Sequence, residues 1–463
     1  MKIKTMMKRG CCAFLALSCA GGIAGCGNGT SSSDASQASG LEVVKGLPDY
    51  SADENTRFLK IGGYIAPVPA GIYGDESYIT VERYKEMKEA GLDYVLGIYS
   101  QGPDNSNVKL ALDCAKEAGV QYMVRWDALA NYGSVRPEQL KELLGSTIEH
   151  EACMGILVKD EPNASQFSAF GSAYEVYKQV TDKYFYVNLF PNYANTEQLG
   201  AKSYREYVNE YCAKSKNSMI CQDHYPFGDN GQKQTLSDGF LANLEIIQKY
   251  SDIYHMEHWE YIQGMKCDAS SKIPDYKDYS MQIYAEMCYG VEVMQYFCYF
   301  TPMGQDEDYY AMIDTKGNKT SRYYDAQKIN NEIHKMDHVY LNFVDDWKGA
   351  LPVVGKNNQK GSTTAFNLLQ WKLTEYERIK AVTAAEDALI GCYKDKDGRD
   401  GFTLVNYTVP AHDKKNKIEI EFYQADAVVY YRHGEYNLAQ IKDGRFEIEL
   451  DAGEGIFAIP VKY

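Results

Sequence analysis

Beyond residue 25 this 463-residue chain lacks any apolar run near the roughly 18 residues that a membrane-spanning helix needs, so no spanning helix is expected. It also lacks a surplus of positive charge. Lys and Arg number 48 against 64 Asp and Glu, and the formal net charge is −16. A surface of that sign repels nucleic acid and anionic lipid, so neither is an expected partner. No CxxC spacing occurs among Cys114, Cys153, Cys212, Cys221, Cys267, Cys288, Cys298 and Cys392, which argues against a zinc ribbon or a disulfide framework. Most of these cysteines read as small buried hydrophobes. There is no Gly-x-Ser-x-Gly elbow, no Walker loop and no glycine-rich phosphate turn after an early strand. Histidine is scarce, at 8 residues. His255 and His258 in "HMEH" fall on opposite faces of an extended strand, and "QDEDYY" (Gln305–Tyr310) lacks the spaced oxygens of a calcium loop, so no metal or cofactor is expected.

What is present begins with a leader. Residues 1–25 carry a basic start (Lys2, Lys4, Lys8, Arg9) and then "CCAFLALSCAGGIAG", the pattern of an export signal. The end of that signal, "IAGC" (Ile23–Cys26), resembles the bacterial lipobox, which implies lipid modification of Cys26 and a mature N-terminus there. The expected location is outside the cytoplasm of a bacterium, with the membrane touched only through lipidated Cys26. Residues 26–50, including "GNGTSSSDASQASG", are small and polar and read as a flexible linker.

With 45% apolar residues, the remainder can bury substantial cores. From Phe58 onward helical and strand periods alternate. The stretch "KEAG", an apolar residue, any residue and then Tyr occurs twice, at Lys88–Tyr94 and Lys116–Tyr122, each time between a helix and a strand. Repeated helix-then-strand units call for a parallel sheet. Later strands read as "MGILVKDE", "YFYVNLFP", "SMICQDHYPF", "IYHMEHWEYI" and "VMQYFCYFTP", and a last helix spans about 321–343. About eight such units over residues 51–348 predict an α/β fold, a (β/α)8 TIM barrel. Residues 349–463 show short alternating runs ("DGFTLVNYTV", "NKIEIEFY", "DAVVYYRHGEY", "GRFEIEL", "EGIFAIPV") split by Gly, Asp and Asn, as expected of a C-terminal antiparallel β-sandwich.

Function in such barrels collects where strands hand over to the loops that follow. The fourth strand ends in Asp160 and Glu161, and the sixth in Asp223, His224 and Tyr225. The seventh carries Glu257, Trp259 and Glu260. Paired carboxylates facing one cup are what glycoside hydrolysis requires. Aromatics at or past strand ends, among them Tyr64, Tyr73, Tyr99, Trp126, Trp259 and Tyr299, could offer stacking faces to a sugar ring. Because Glu257 and Glu260 are three apart, at most one enters the cup; parity groups Glu257 with Trp259 and Tyr261. Asp223 is a third candidate.

An acid-Glu-Pro end to strand four, carboxylates on strand seven and a trailing β-sandwich together resemble the retaining glycoside hydrolases of clan A. The likeness is nearest to the barrel proteins close to the family 42 β-galactosidases, many of them bacterial lipoproteins. The resemblance implies an oligosaccharide or glycoconjugate substrate, Glu161 as acid/base, and Glu257 or Glu260 as nucleophile. It also implies that Asp160, Asp223, His224, Tyr225, Trp259, Tyr64, Trp126 and Tyr299 shape the subsites. Asp160 departs from the asparagine that clan members carry there, and an ionised aspartate can only accept hydrogen bonds. That departure and the uncertain strand seven leave room for a carbohydrate-binding lipoprotein on a barrel that has lost catalysis.

Overall fold

A computed structural model describes residues 50, 52–53 and 56–463. The leader, Cys26 and nearly all of the linker lie outside the described residues. Eight strands close into a parallel barrel in sequence order. They are β1 (Lys60–Tyr64), β2 (Tyr94–Gln101), β3 (Gln121–Arg125), β4 (Cys153–Asp160), β5 (Tyr184–Leu189), β6 (Met219–Gln222), β7 (Glu257–Gln263) and β8 (Val293–Phe297). The principal helices that follow them are α1 (Val81–Glu89), α2 (Ser106–Ala118), α3 (Pro137–Glu149), α4 (Phe167–Tyr177), α5 (Tyr204–Ser215), α6 (Phe240–Tyr254), α7 (Tyr276–Met287) and α8 (Ser321–His334).

Local chemistry sets these boundaries. Thr80 caps α1 by accepting from the Arg83 amide, and Asp275 caps α7 by accepting from Lys277 and Asp278. The repeated "KEAG" ends two helices in the same way, since Gly91 and Gly119 both sit at φ +71°, where a side chain would be strained. The last helix is shorter than the 321–343 expected. It stops at His334, and a separate turn covers Asp337–Tyr340.

The barrel lumen is packed with side chains. Tyr94 donates to Gln295 Oε1 (3.2 Å), and Gln295 donates to the hydroxyl of Tyr186 (2.6 Å), which donates in turn to that of Tyr261 (3.0 Å). The Trp259 ring lies 4.8 to 5.7 Å from those of Tyr184, Tyr94 and Tyr186. Each polar end thus finds a partner inside an otherwise aromatic core. Gly62 is what admits the Tyr94 ring, because a Cβ there would lie 2.3 Å from its Cζ.

The C-terminal region forms two antiparallel sheets, as expected. The strands are β9 (Trp347–Val353), β10 (Ile379–Ala384), β11 (Ala388–Lys394), β12 (Asp400–Asn406), β13 (Asn416–Phe422), β14 (Ala427–Arg432), β15 (Glu435–Gln440), β16 (Arg445–Leu450) and β17 (Gly455–Val461). One sheet runs β9-β11-β12-β17-β14-β15 and the other β10-β13-β16. A separate core that includes Ile390, Phe402, Leu404, Ile418, Ile420 and Ile456 lies between them. Sequence periodicity had not marked β9, β10 or β11, nor the hairpin Phe227–Asp229/Gln234–Leu236 in the loop after β6. The larger sheet rests on α7. The Trp347 indole donates to the Cys288 carbonyl (2.9 Å), Tyr393 donates to Met287 O, and Gly391 and Gly455 leave space that Cys288 and Tyr284 fill.

Gly62→Ala is expected to lower unfolding free energy in urea by about 1–3 kcal/mol, the range for overpacking a filled core. Wild-type stability in this variant would show that the ring of Tyr94 is not held against β1.

Candidate active site

The carboxyl end of the barrel brings together three acids. Strand β4 has a register shift between Leu157 and Lys159, a bulge-like irregularity that re-aims its last residues. Glu161 follows at φ +47°, in the left-handed region and directly before Pro162, a conformation that both positions disfavour. Its amide donates to the Asn188 carbonyl at the end of β5 (2.9 Å). Strain of this kind persists only where surrounding contacts impose it, and it clusters at functional sites.

Asp160 accepts from the Tyr64 hydroxyl (3.1 Å) and from the Asn188 amide (3.0 Å). Asp223 lies just beyond β6, where Asn188 opposes the rise in its pKa and its Oδ1 is buried with no hydrogen-bond partner. Burial raises the pKa of Asp160, against the opposing pull of Asn188 and Tyr64. Glu161 is open to solvent yet sits in a recess, and burial followed by the charge of Asp160 pushes it up to about 7. Burial, then Glu161 and Asp160, hold Asp223 well above the carboxylate range. The three titrate as a group, with neutral forms favoured for at least some of them at neutral pH.

Beside this trio, Arg125 at the end of β3 grips Asp127 through Nε and Nη2 (2.8 and 3.1 Å). That grip outweighs burial and keeps Asp127 below its usual range, with Lys159 adding to the effect. Lys159 therefore bears on Asp127, while the charge of Asp160 acts on Glu161. Aromatic rings gather beside these acids, since Tyr64 bonds to Asp160 and Tyr193 to the backbone of Asp223. Tyr64, Phe297 and Tyr225 follow one another at 5.6 and 5.4 Å, and Tyr193, 61% exposed, stands edge-on to His224 at 5.0 Å. Tyr193 donates to the Asp223 carbonyl (3.4 Å). Trp126, half-buried at the start of the loop after β3, stacks on Tyr132 (5.1 Å).

Several expected site residues lie elsewhere. Glu257 opens β7 instead of closing it, so it belongs to the opposite, amino end of the barrel. There it accepts from the Trp259 indole (2.7 Å) and lines a cavity of about 600 Å3 with Lys60, Tyr184 and Glu292. Glu260 has the other parity and faces the helical layer, where it bonds to His258 (2.7 Å) and Gln222, and burial, then Glu286, raise its pKa well above the usual carboxylate range. Trp259 is buried in the lumen, and Tyr299 packs against Gly63 and reaches toward the Arg83 carbonyl, so neither meets the recess. His224 is buried behind Tyr193, bonded to Ser237 (2.8 Å), and burial lowers its pKa to about 4. Tyr73 and Tyr99 bond within the loop after β8, to Thr301 O and from the Met303 amide.

Strand β7 ends on Gln263, whose amide ties the loops together by bonding Phe227 and Lys272. Among the described residues no group of three or more His, Cys, Asp or Glu is placed to hold a metal. Sequence reading missed Asn188, Arg125, Asp127 and Tyr193. Asn188 and Arg125 were visible in principle as polar residues closing otherwise apolar strands.

No protein-family model matches this sequence, and no curated protein matches it. Among solved structures, a catalytic mutant of a GH42 β-galactosidase from G. stearothermophilus is similar in fold, with a TM-score of 0.54 at 9% identity, covering 89% of this chain and 100% of that one. A family 5 glycoside hydrolase from Bacteroides vulgatus gives 0.42 at 11% identity over 88% and 90% of the two chains. A β-galactosidase from the psychrophilic Marinomonas ef1 gives 0.43 at 10% identity; the match spans 60% of this chain and 60% of that enzyme's length. The neighbours are glycoside hydrolases, and the family 42 likeness establishes the shared barrel fold.

Asp160→Asn is expected to lower the pKa of Glu161 from about 7 by part of its rise, because a like charge is removed while burial, the larger cause, remains. Carboxyl 13C shifts followed through pH and assigned with Glu161→Gln would read this directly. At the amino end, burial and then Glu257 push Glu292 up to about 7. A raised carboxyl pKa gives stability that is complete below the unfolded value near 4.5 and is lost as pH rises through 7. Glu292→Gln should therefore flatten the fall in Tm between those two values, and an unchanged slope would count against a neutral Glu292.

Proposed function

We propose that this protein is a glycoside hydrolase, exported and held at the bacterial membrane by lipidated Cys26, acting on an oligosaccharide or glycoconjugate. The observation that carries this reading is Glu161 itself. It is a strained, solvent-reachable glutamate at the end of β4, raised to about 7, beside a second raised carboxyl on another strand.

In the working form Glu161 carries the proton. With Glu161 neutral, one of the charges that raise Asp223 is removed, which favours ionisation of Asp223 against the larger effect of burial. Asp160, held by Tyr64 and Asn188, keeps Glu161 protonated until a glycosidic oxygen accepts the proton. Asp223 then acts on the opposite side of the scissile bond, as nucleophile or as base for water. Retention of configuration, expected through Glu257 or Glu260, would require Asp223 as nucleophile, because neither glutamate reaches the mouth. Tyr193, Tyr225 and Trp126 offer ring faces to sugar units, while Arg125 and Asp127 offer charged hydrogen-bonding groups.

A second reading has its own support. Where the clan resemblance calls for a nucleophile at the end of strand seven, this chain has Gln263, and an amide cannot serve as one. A carbohydrate-binding protein without hydrolysis would fit that departure.

Glu161→Gln is expected to lower kcat on a panel of aryl and natural glycosides by about 10²- to 10⁴-fold, the usual contribution of a positioned acid. Wild-type activity should fall as pH rises through about 7, as Glu161 loses its proton. Undiminished turnover by the variant would refute its role. Oligosaccharide binding by the wild type with no hydrolysis at any pH would establish the second reading.

A further inference from the structure

The loop between β6 and α6 has two sides. Its first residue, Asp223, belongs to the recess, while its far end, Ser237 and Asp238, borders a different cavity of about 860 Å3 against the C-terminal sheets. That volume lies within the range of small-ligand sites.

The cavity has a rigid frame. Asp387 accepts from the Gly355 amide (2.9 Å), from Thr363 and from Asn358, and Glu386 accepts from Asn357 (2.9 Å) and Lys414 (2.8 Å). These bonds hold the segment Asn357–Lys360 in place as one wall. In the floor lies Tyr407, only 5% exposed, with its ring 5.5 Å from that of Phe366. Its buried hydroxyl has no hydrogen-bond partner, although Asp238 and Asp387 are close enough to act on it. A buried phenol left unpaired is costly unless a ligand or water completes it. At the rim, Lys233 and Lys360 are exposed, and neither pairs with an acid among the described residues.

The cavity therefore presents donors that cannot accept (two ammonium groups), an acceptor that cannot donate (Asp238) and a hydroxyl that does both. A ligand that meets them all must give and take hydrogen bonds at close spacing, which is the chemistry of a polyol. We propose that this groove is a second carbohydrate-binding site, holding an oligosaccharide apart from the barrel mouth, with its lysines favouring acidic sugar units. The proposal rests on the carbohydrate reading of the mouth for its ligand class.

The test is calorimetric titration of the Glu161→Gln protein, which avoids turnover. The probes are hexasaccharides of galactan, xylan, mannan and polygalacturonate, together with the matching disaccharides. Tyr407→Phe, and Lys233→Ala with Lys360→Ala, are each added to that background. The expected result is that both changes weaken one class of hexasaccharide site by about tenfold. The same changes placed in the otherwise wild-type protein should leave hydrolysis of aryl glycosides unaltered. Stronger binding of hexagalacturonate, lost in the double lysine variant, would support the acidic preference. Identical isotherms with and without the groove substitutions overturn the proposal even if Glu161→Gln abolishes hydrolysis. Loss of groove binding in a protein whose Glu161→Gln form still hydrolyses glycosides would sink the mouth assignment and leave the groove standing. No binding of any hexasaccharide by the Glu161→Gln protein overturns the groove.

Discussion

Three carboxyl groups crowd one end of this barrel, and Asn188 is the residue that makes the crowding tolerable. Its carbonyl holds the backbone of Glu161, and its side-chain amide donates to Asp160. Without such donors the acids would have only one another and buried surroundings, and each further ionisation would meet uncompensated charge. Tyr64 supplies the other hydrogen bond to Asp160 from across the lumen. The raised titration of Glu161 follows from this arrangement. Burial lifts it first, and the like charge of Asp160 next door adds to that.

Strand and helix periods made the barrel legible, because every strand buried on both faces reads as a dense apolar run and every covering helix shows its stripe. Strand four was also legible, since the run "GILVKDEP" passes from apolar residues to acids and then to proline. Strand seven was not. In "HMEHWEYIQG" the parity of Glu257 with Trp259 and Tyr261 holds, but periodicity gives no height along the barrel axis, and the strand proves to begin at Glu257. Glu260 escapes the same reasoning for a different cause. It faces the helices, where Gln222 and His258 satisfy it, and a buried charged residue on that side has no signature in the local pattern. Asn188 and Tyr193 act through residues on other strands, a relation that no single segment displays.

The site that results differs from the pattern its resemblance suggests. The second acid comes from β6 and is an aspartate, while the end of β7 carries an amide that braces two loops. An aspartate reaches less far than a glutamate, so the space between Asp223 and Glu161 decides what fits between them. The Tyr261 ring lies 5.8 Å from that of Tyr64, and its hydroxyl accepts from Tyr186 (3.0 Å) in the lumen.

The contact between α7 and the larger C-terminal sheet has a consequence for how the protein is built. Glycines of two strands press so closely on Cys288 and Tyr284 that no sliding surface separates the two cores. The sandwich is therefore no pendant module, and cutting the chain before Trp347 would strip the cover from a barrel helix. Barrel and sandwich should therefore melt in a single calorimetric transition, as one cooperative unit.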